Sequence, residues 1–192
     1  MIALPAPDSV GLVALALTGR MATVGVGLVF VSAAMAKLRH RALLPGVIAN
    51  YRLLPEALVA PAAAMLPGAE LVLGLWLLSG GLPSGDMLAP AAAMAMVLLA
   101  LFAWAMAANL RRGRGHIDCG CGHAALHQPL AWSLVLRNLG LAALLLPALA
   151  GLPAPAGIWP LAWAGGAVLF LLFQLFNAIV ALAGSPLAAA RR

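Results

Sequence analysis

The sequence holds two cysteines, and they stand together in the stretch Asp118-Cys119-Gly120-Cys121-Gly122. Scattered at random, two cysteines would fall two apart in roughly one chain in a hundred, so the spacing is informative. Gly120 between the thiols, with Gly115 and Gly122 nearby, gives a backbone able to take positive φ and bring the sulfurs together. A Cys-Gly-Cys disulfide closes a very small ring whose geometry departs from relaxed values, which makes it easy to reduce. A ring that short restrains almost none of the unfolded chain, so it suits a transferable bond better than a staple. Arg111, Arg112, Arg114 and the imidazoles of His116 and His123 favour a thiolate, while Asp118 opposes it.

The same stretch admits a second chemistry. His116, Cys119, Cys121, His123 and His127 offer two thiolates and three imidazoles within twelve residues, a soft ligand set suited to copper or zinc. The cysteine spacing differs from the two-residue gap of structural zinc sites, which weakens that reading. A third reading is an inert polar loop with reduced thiols, as in a membrane chaperone that does no chemistry of its own.

The elements that must position these residues are helices in a membrane. The chain has 192 residues, of which 65% are apolar and only 8% charged, too little polar surface to cover a water-soluble globule. Long Ala- and Leu-rich blocks replace the short alternating strands of an outer-membrane barrel. Five blocks reach the length of about 20 apolar residues that a crossing helix requires. They cover residues 10–36, 57–78, 87–110, 130–150 and 158–183. The fold expected is an all-α membrane protein, a four-helix transmembrane bundle with a fifth C-terminal transmembrane helix, in one domain over residues 1–192. Arg20 divides the first block, so residues 10–19 are either an interfacial helix or an extension of the span. No cleaved signal peptide is expected, since Asp8 precedes any basic residue and Arg20 follows the first apolar stretch.

Charge alternates between the connections. Lys37, Arg39, His40, Arg41 and Arg52 follow the first block, Arg111, Arg112 and Arg114 follow the third, and Arg191 and Arg192 end the chain. The connections after the second and fourth blocks carry no Lys or Arg. The formal charge of +6 therefore sets topology, with basic segments cytoplasmic, and no nucleic-acid partner is expected. Lys37 is read as a marker of the cytoplasmic interface. Pro67-Gly68 inside the second block predicts a kink or a late helix start. Glu70 and Arg137 lie within the spans, where a charge needs a partner, and a Glu70–Arg137 pair inside the bundle is the pairing considered. Gln174 and Asn177 share a face of the last helix and suit interhelical hydrogen bonds. Trp159 and Trp163 fit an interfacial belt.

Five motifs occur in order: Ala36-Lys37-Leu38-Arg39; Tyr51-Arg52-Leu53-Leu54-Pro55; Leu66-Pro67-Gly68-Ala69-Glu70-Leu71-Val72-Leu73-Gly74; Arg112-Gly113-Arg114 leading to Cys119-Gly120-Cys121-Gly122; and Leu136-Arg137-Asn138. Together they resemble the MauE family of methylamine-utilisation membrane proteins within the DoxX-like group. The resemblance covers residues 20–150 and leaves the last helix, residues 158–184, outside it. It implies a multi-pass accessory protein of the bacterial inner membrane that supports maturation of the disulfide-rich periplasmic small subunit of methylamine dehydrogenase. It also implies a thioredoxin-like partner resembling MauD. Cys119 and Cys121 fall on the family's Cys-Gly-Cys, Pro67 and Glu70 on its Pro-x-x-Glu, and Arg137 and Asn138 on its Arg-Asn.

The expected activity is thus thiol-disulfide exchange through Cys119 and Cys121, with Arg114, His116 and His123 tuning the thiolate and Glu70 and Arg137 supporting the site. A quinone as electron acceptor follows only by analogy with other small helical-bundle oxidoreductases. A periplasmic client sits awkwardly with basic residues just before Cys119. Two arrangements reconcile them: residues 113–129 fold back into the bundle, or electrons pass between a cytoplasmic thiol system and a periplasmic partner.

Overall fold

The computed structural model describes residues 7–79, 88–120, 128–153 and 156–183. Six α-helices follow one another: α1 (Pro7–Arg39), α2 (Leu44–Tyr51), α3 (Glu56–Ser79), α4 (Leu88–Arg111), α5 (Trp132–Leu144) and α6 (Trp159–Ala183). A 3-10 turn, Leu146–Ala150, prolongs α5, and another, Ala156–Ile158, leads into α6. Among the described residues five helical segments are long and apolar enough to cross a membrane, in agreement with the five blocks of the sequence. This is a multi-pass helical membrane protein.

Arg20 does not interrupt the first helix. The 33 residues of α1 run through it without a break, so residues 10–19 extend the first span. Arg20 is tolerated because it is buried at 4% exposure, and its guanidinium lies 4.4 Å from the Trp159 ring centroid. At 1.5 Å per residue α1 is about 50 Å long, well beyond the ~30 Å of hydrocarbon. Pro67-Gly68 does not mark a late start either, since α3 begins at Glu56 and continues past Pro61 and Pro67.

α1 is the central helix, with α3 on one side and α6 on the other. Two glycines make this packing close. A Cβ on Gly25 would meet Leu169 of α6 at 2.5 Å, and one on Gly27 would meet the Gly74 carbonyl of α3 at 3.0 Å. Two residues advance a helix by about 200°, so the glycines open opposite faces of α1. Lipid tails supply no hydrophobic contrast between helices, so close backbone approach of this kind is what holds membrane helices together.

The main core is built from α1, α3, α4 and the α5 segment, around Val26, Phe30, Leu77, Ala95, Leu99 and Leu145. α6 lies outside that core against α1. Its Val168, Leu171, Leu172, Leu175, Ile179 and Leu182 are 56–67% exposed and form a lipid-facing side. The four-helix bundle plus fifth helix expected from the sequence is the arrangement observed.

The short helix α2 was not foreseen. Eight residues are too few to cross a membrane, and hydropathy alone merges them with the basic connection. Leu44, Val47, Ile48 and Tyr51 nevertheless follow the i, i+3, i+4, i+7 pattern of an amphipathic helix. α2 closes at Arg52, which takes the left-handed conformation at φ 49°.

Candidate functional site

The site lies at the basic end of the bundle, where α1 and α4 end and α3 and α5 begin. Past α4 the chain turns at Gly113, with φ 72°, and Arg114 N donates back to the Asn109 carbonyl. The Arg114 guanidinium then reaches α2: Nη1 donates to Asn109 Oδ1 at 2.9 Å and to the Tyr51 carbonyl at 3.3 Å, and Nη2 donates to the Asn50 carbonyl at 2.6 Å. A helix C-terminus leaves carbonyls without intrahelical donors, and a cation there is favourable. Arg114 therefore fastens the cysteine loop to the end of α2.

The described flanks of the loop, residues 113–120 and 128–131, lie against the bundle, while residues 121–127 lie outside the described residues. Asp118 pairs with Pro129 in an antiparallel bridge. Cys119 N donates to the Gln128 carbonyl at 2.9 Å, and Leu130 N to the Ile117 carbonyl at 3.1 Å. Cys119 and Ile117 are buried together with Ala103 and Met106 of α4 and Leu134 of α5. Met106 lies about 7 Å along α4 from its end at Arg111, so the sulfur is set inside the bundle's rim.

Each hydrogen-bonding group of Cys119 has a partner. The Tyr51 hydroxyl donates to its carbonyl at 3.0 Å, and its thiol lies 3.8 Å from Gln128 Oε1. Asp118 Oδ1 accepts from Gly120 N at 3.0 Å and tightens the turn. Gly120 has φ +68°, and a Cβ there would stand 2.8 Å from Val47 Cγ1. Glycine is thus demanded twice, by backbone conformation and by contact with α2. Gln128 is 2% exposed, and its Nε2 finds no partner among the described residues. One amide beside a thiol carries both an acceptor for S–H and a donor for a thiolate.

Cys119 and Gly120 form part of the wall of a cavity of about 590 Å³. The amphipathic stripe of α2 makes one side, and α3 and α4 make the others. Because α3 packs chiefly on α1 and α4 on α5, a gap remains between them. Met65, Leu101 and Trp104, 72%, 53% and 61% exposed, stand at this gap, so the cavity opens sideways toward lipid.

Lys37 also lines the cavity, and it is the partner of Glu70. Its Nζ lies 2.8 Å from each carboxylate oxygen, with Glu70 1% exposed and the lysine side chain 11%. The Glu70–Arg137 pair considered from sequence is corrected by this finding. Glu70 shares the α1-facing side of α3 with Leu73, Gly74 and Leu77, whereas Arg137 on α5 faces α6. Helical side chains lean toward their own N-termini, and α1 and α3 are antiparallel, so Lys37 and Glu70 lean toward each other. Arg137 instead donates from Nη1 to Asn177 Oδ1 and from Nη2 to Asn138 Oδ1 at 3.4 Å, with its guanidinium 4.9 Å from the Phe173 ring centroid. Asn177 thus makes the interhelical hydrogen bond expected of it.

His116 is exposed at the surface of the loop. Cys121, His123 and His127 lie outside the described residues. Among the described residues no group of three or more His, Cys, Asp or Glu side chains is placed to hold a metal ion. The reading from sequence missed Tyr51, Gln128 and the role of Lys37 on the cavity wall. The stripe of α2 was the signal for Tyr51; nothing in sequence pointed to Gln128.

The sequence profile described as "Methylamine utilisation protein MauE" matches residues 12–154. Curated proteins named methylamine utilization protein MauE are similar to the chain. The one from Paracoccus denitrificans is 45% identical over 129 residues, 67% of this chain and 67% of the relative. The one from Paracoccus versutus is 42% identical over 148 residues, 75% of this chain and 77% of the relative, and that of Methylophilus methylotrophus is 45% identical over 126 residues, 63% and 62%. The matched stretch thus spans between three fifths and four fifths of these relatives. No solved structure matches the chain. The profile takes in the first four spans and the cysteine loop and stops before α6, the helix that also stands outside the main core. On that match and these identities, the chain belongs to the MauE family of methylamine utilisation proteins.

Proposed function

We propose that this protein is a thiol-disulfide exchanger of the bacterial inner membrane, working through Cys119 and Cys121 with a thioredoxin-like partner to support disulfide-rich periplasmic proteins such as the methylamine dehydrogenase small subunit. The observation that carries the reading is the setting of Cys119. Its backbone is held at both N–H and carbonyl, its thiol faces an amide, and the residue that joins it to the second cysteine is a positive-φ glycine. An inert loop has no need of that much fixing.

In the exchange, a partner thiolate attacks one sulfur of the Cys119–Cys121 disulfide and forms a mixed disulfide, releasing the other sulfur as a thiolate. The partner's second thiol then resolves the mixed bond. The partner leaves as a disulfide, and the pair has gained two electrons. Arg114 keeps the loop on α2, and the Lys37–Glu70 pair ties α1 to α3 around the same cavity.

The test is to trap the mixed disulfide in cells with Cys119→Ser and Cys121→Ser single variants. A thioredoxin-like protein captured by one of them is the result expected. If neither variant captures a partner and the double variant still supports normal maturation of the dehydrogenase, the reading is overturned.

A further inference from the structure

We propose that the cavity between α2, α3 and α4 binds a quinone, with its ring between Lys37 and Cys119, and that this quinone takes the electrons released when the cysteine pair closes. The inference rests on the exchange reading above. A pair that hands its disulfide to a partner is left as a dithiol, and its re-oxidation requires a two-electron acceptor.

The shape of the cavity selects a ligand delivered by the bilayer. Its volume, about 590 Å³, is that of a small-molecule site. Its mouth lies between the lipid-facing sides of α3 and α4, at Met65, Leu101 and Trp104. An apolar molecule enters there without passing through water. Phe102, Trp104 and Tyr51 supply aromatic surface for a flat ring.

The electrostatics select the head group. An ammonium on an otherwise apolar wall suggests an anionic lipid, but Lys37 is already neutralised by a carboxylate that meets it with both oxygens at 2.8 Å. A second anion would face Glu70 as well as Lys37. A neutral acceptor fits better, because an ammonium has three N–H donors and the pair with Glu70 takes two of them. The third serves a quinone carbonyl. A plain acyl chain has no use for it.

The step balances without a further reagent. The S–H bonds of Cys119 and Cys121 break, an S–S bond forms, and two electrons and two protons pass to the quinone, giving the hydroquinone. Lys37 donates its hydrogen bond to the carbonyl that gains electron density, and Glu70 holds the ammonium in place.

The experiment uses the purified, reduced full chain in lipid nanodiscs with a short-chain ubiquinone as probe. One quinone reduced for every two thiols lost is expected. In Ala105→Phe, which fills the cavity, the rate falls by about tenfold or more. In Lys37→Gln the quinone KM rises while kcat changes less, and Lys37→Arg restores most of the affinity. To cover a variant that misfolds, wild-type protein is labelled with a photoreactive quinone, and the label is expected on α2, α3 or α4. Label confined to α6, or an unchanged rate in a folded Ala105→Phe, overturns the site. No quinone reduction, while the single cysteine variants still capture a thioredoxin-like partner, overturns the inference and leaves the exchange reading standing. Loss of capture as well, with normal maturation of the dehydrogenase in the double cysteine variant, overturns both.

Discussion

Lys37 and Arg137 are both cations set inside this bundle, and they are satisfied in different ways. Lys37 on α1 meets a carboxylate with two short contacts, while Arg137 on α5 is held by two side-chain amides and an aromatic ring. An ammonium is a compact, strongly hydrated charge that needs an anion once water is removed. A guanidinium spreads its charge over a planar fork and tolerates neutral acceptors and a ring face. The difference also separates their roles. The lysine pair is neutral as a unit and lines the cavity, whereas Arg137 joins α5 to the lipid-facing α6, away from the residues that line it.

The comparison breaks most sharply at Glu70. Replacing it by leucine leaves a buried ammonium without its carboxylate, and removing one partner of a buried pair costs about 3–5 kcal/mol. Glu70→Leu is expected to show that loss in reversible unfolding from detergent or lipid. The double variant Lys37→Met with Glu70→Leu removes both charges together, and replacing a buried pair by apolar residues is often neutral. Recovery of most of the stability in the double variant, with quinone reduction still impaired, assigns the pair to function rather than to folding. A double variant as unstable as Glu70→Leu would instead make the pair a structural tie.

A smaller effect is expected at Arg137. Interhelical hydrogen bonds in membranes contribute about 0.6 kcal/mol on average, so Arg137→Leu should cost on the order of 1 kcal/mol. Asn177→Ala measured in the same background should add little, because the two side chains share one hydrogen bond. Full additivity of the two losses would show that Asn177 acts elsewhere, and the contrast with the lysine pair would weaken.

What could be read from the sequence divides along the same line between length and rotation. The spans were legible because crossing a membrane demands a long run of mostly apolar residues, and one or two charges in a block do not hide it. Arg20 left the start of the first span open because a single cation lowers the hydropathy of a block, and the structure decides for the extension, with Arg20 buried against Trp159. The partner of Glu70 was not legible. Which cation it meets depends on how α3 is turned against α1, and that follows from the close approach of Gly27 and Gly74. Those glycines are visible in the sequence, but only the structure shows which face each opens. At the cysteine loop the residue types were legible and the fixing was not, since Tyr51 and Gln128 reach Cys119 from 68 and 9 residues away.

Tyr51 provides the smallest effect and the finest test of whether fixing the loop matters for chemistry. Its hydroxyl donates to the Cys119 carbonyl at 3.0 Å, a bond between neutral groups, unlike the charge-assisted bonds that Arg137 makes. Tyr51→Phe keeps the ring on the cavity wall and removes the donor, at an expected cost of about 1 kcal/mol. Global stability should hardly register it. The loop carrying Cys119 loses one of its attachments to α2 and opens more often, so a maleimide probe should alkylate that thiol several times faster than in the wild type. Val47, also on α2, packs close to Gly120 but its side chain makes no hydrogen bond to the loop, so Val47→Ala should loosen the loop less. Equal alkylation rates in wild type and Tyr51→Phe would mean that the backbone bridge to Gln128 alone holds the sulfur, and that α2 serves the cavity but not the thiol.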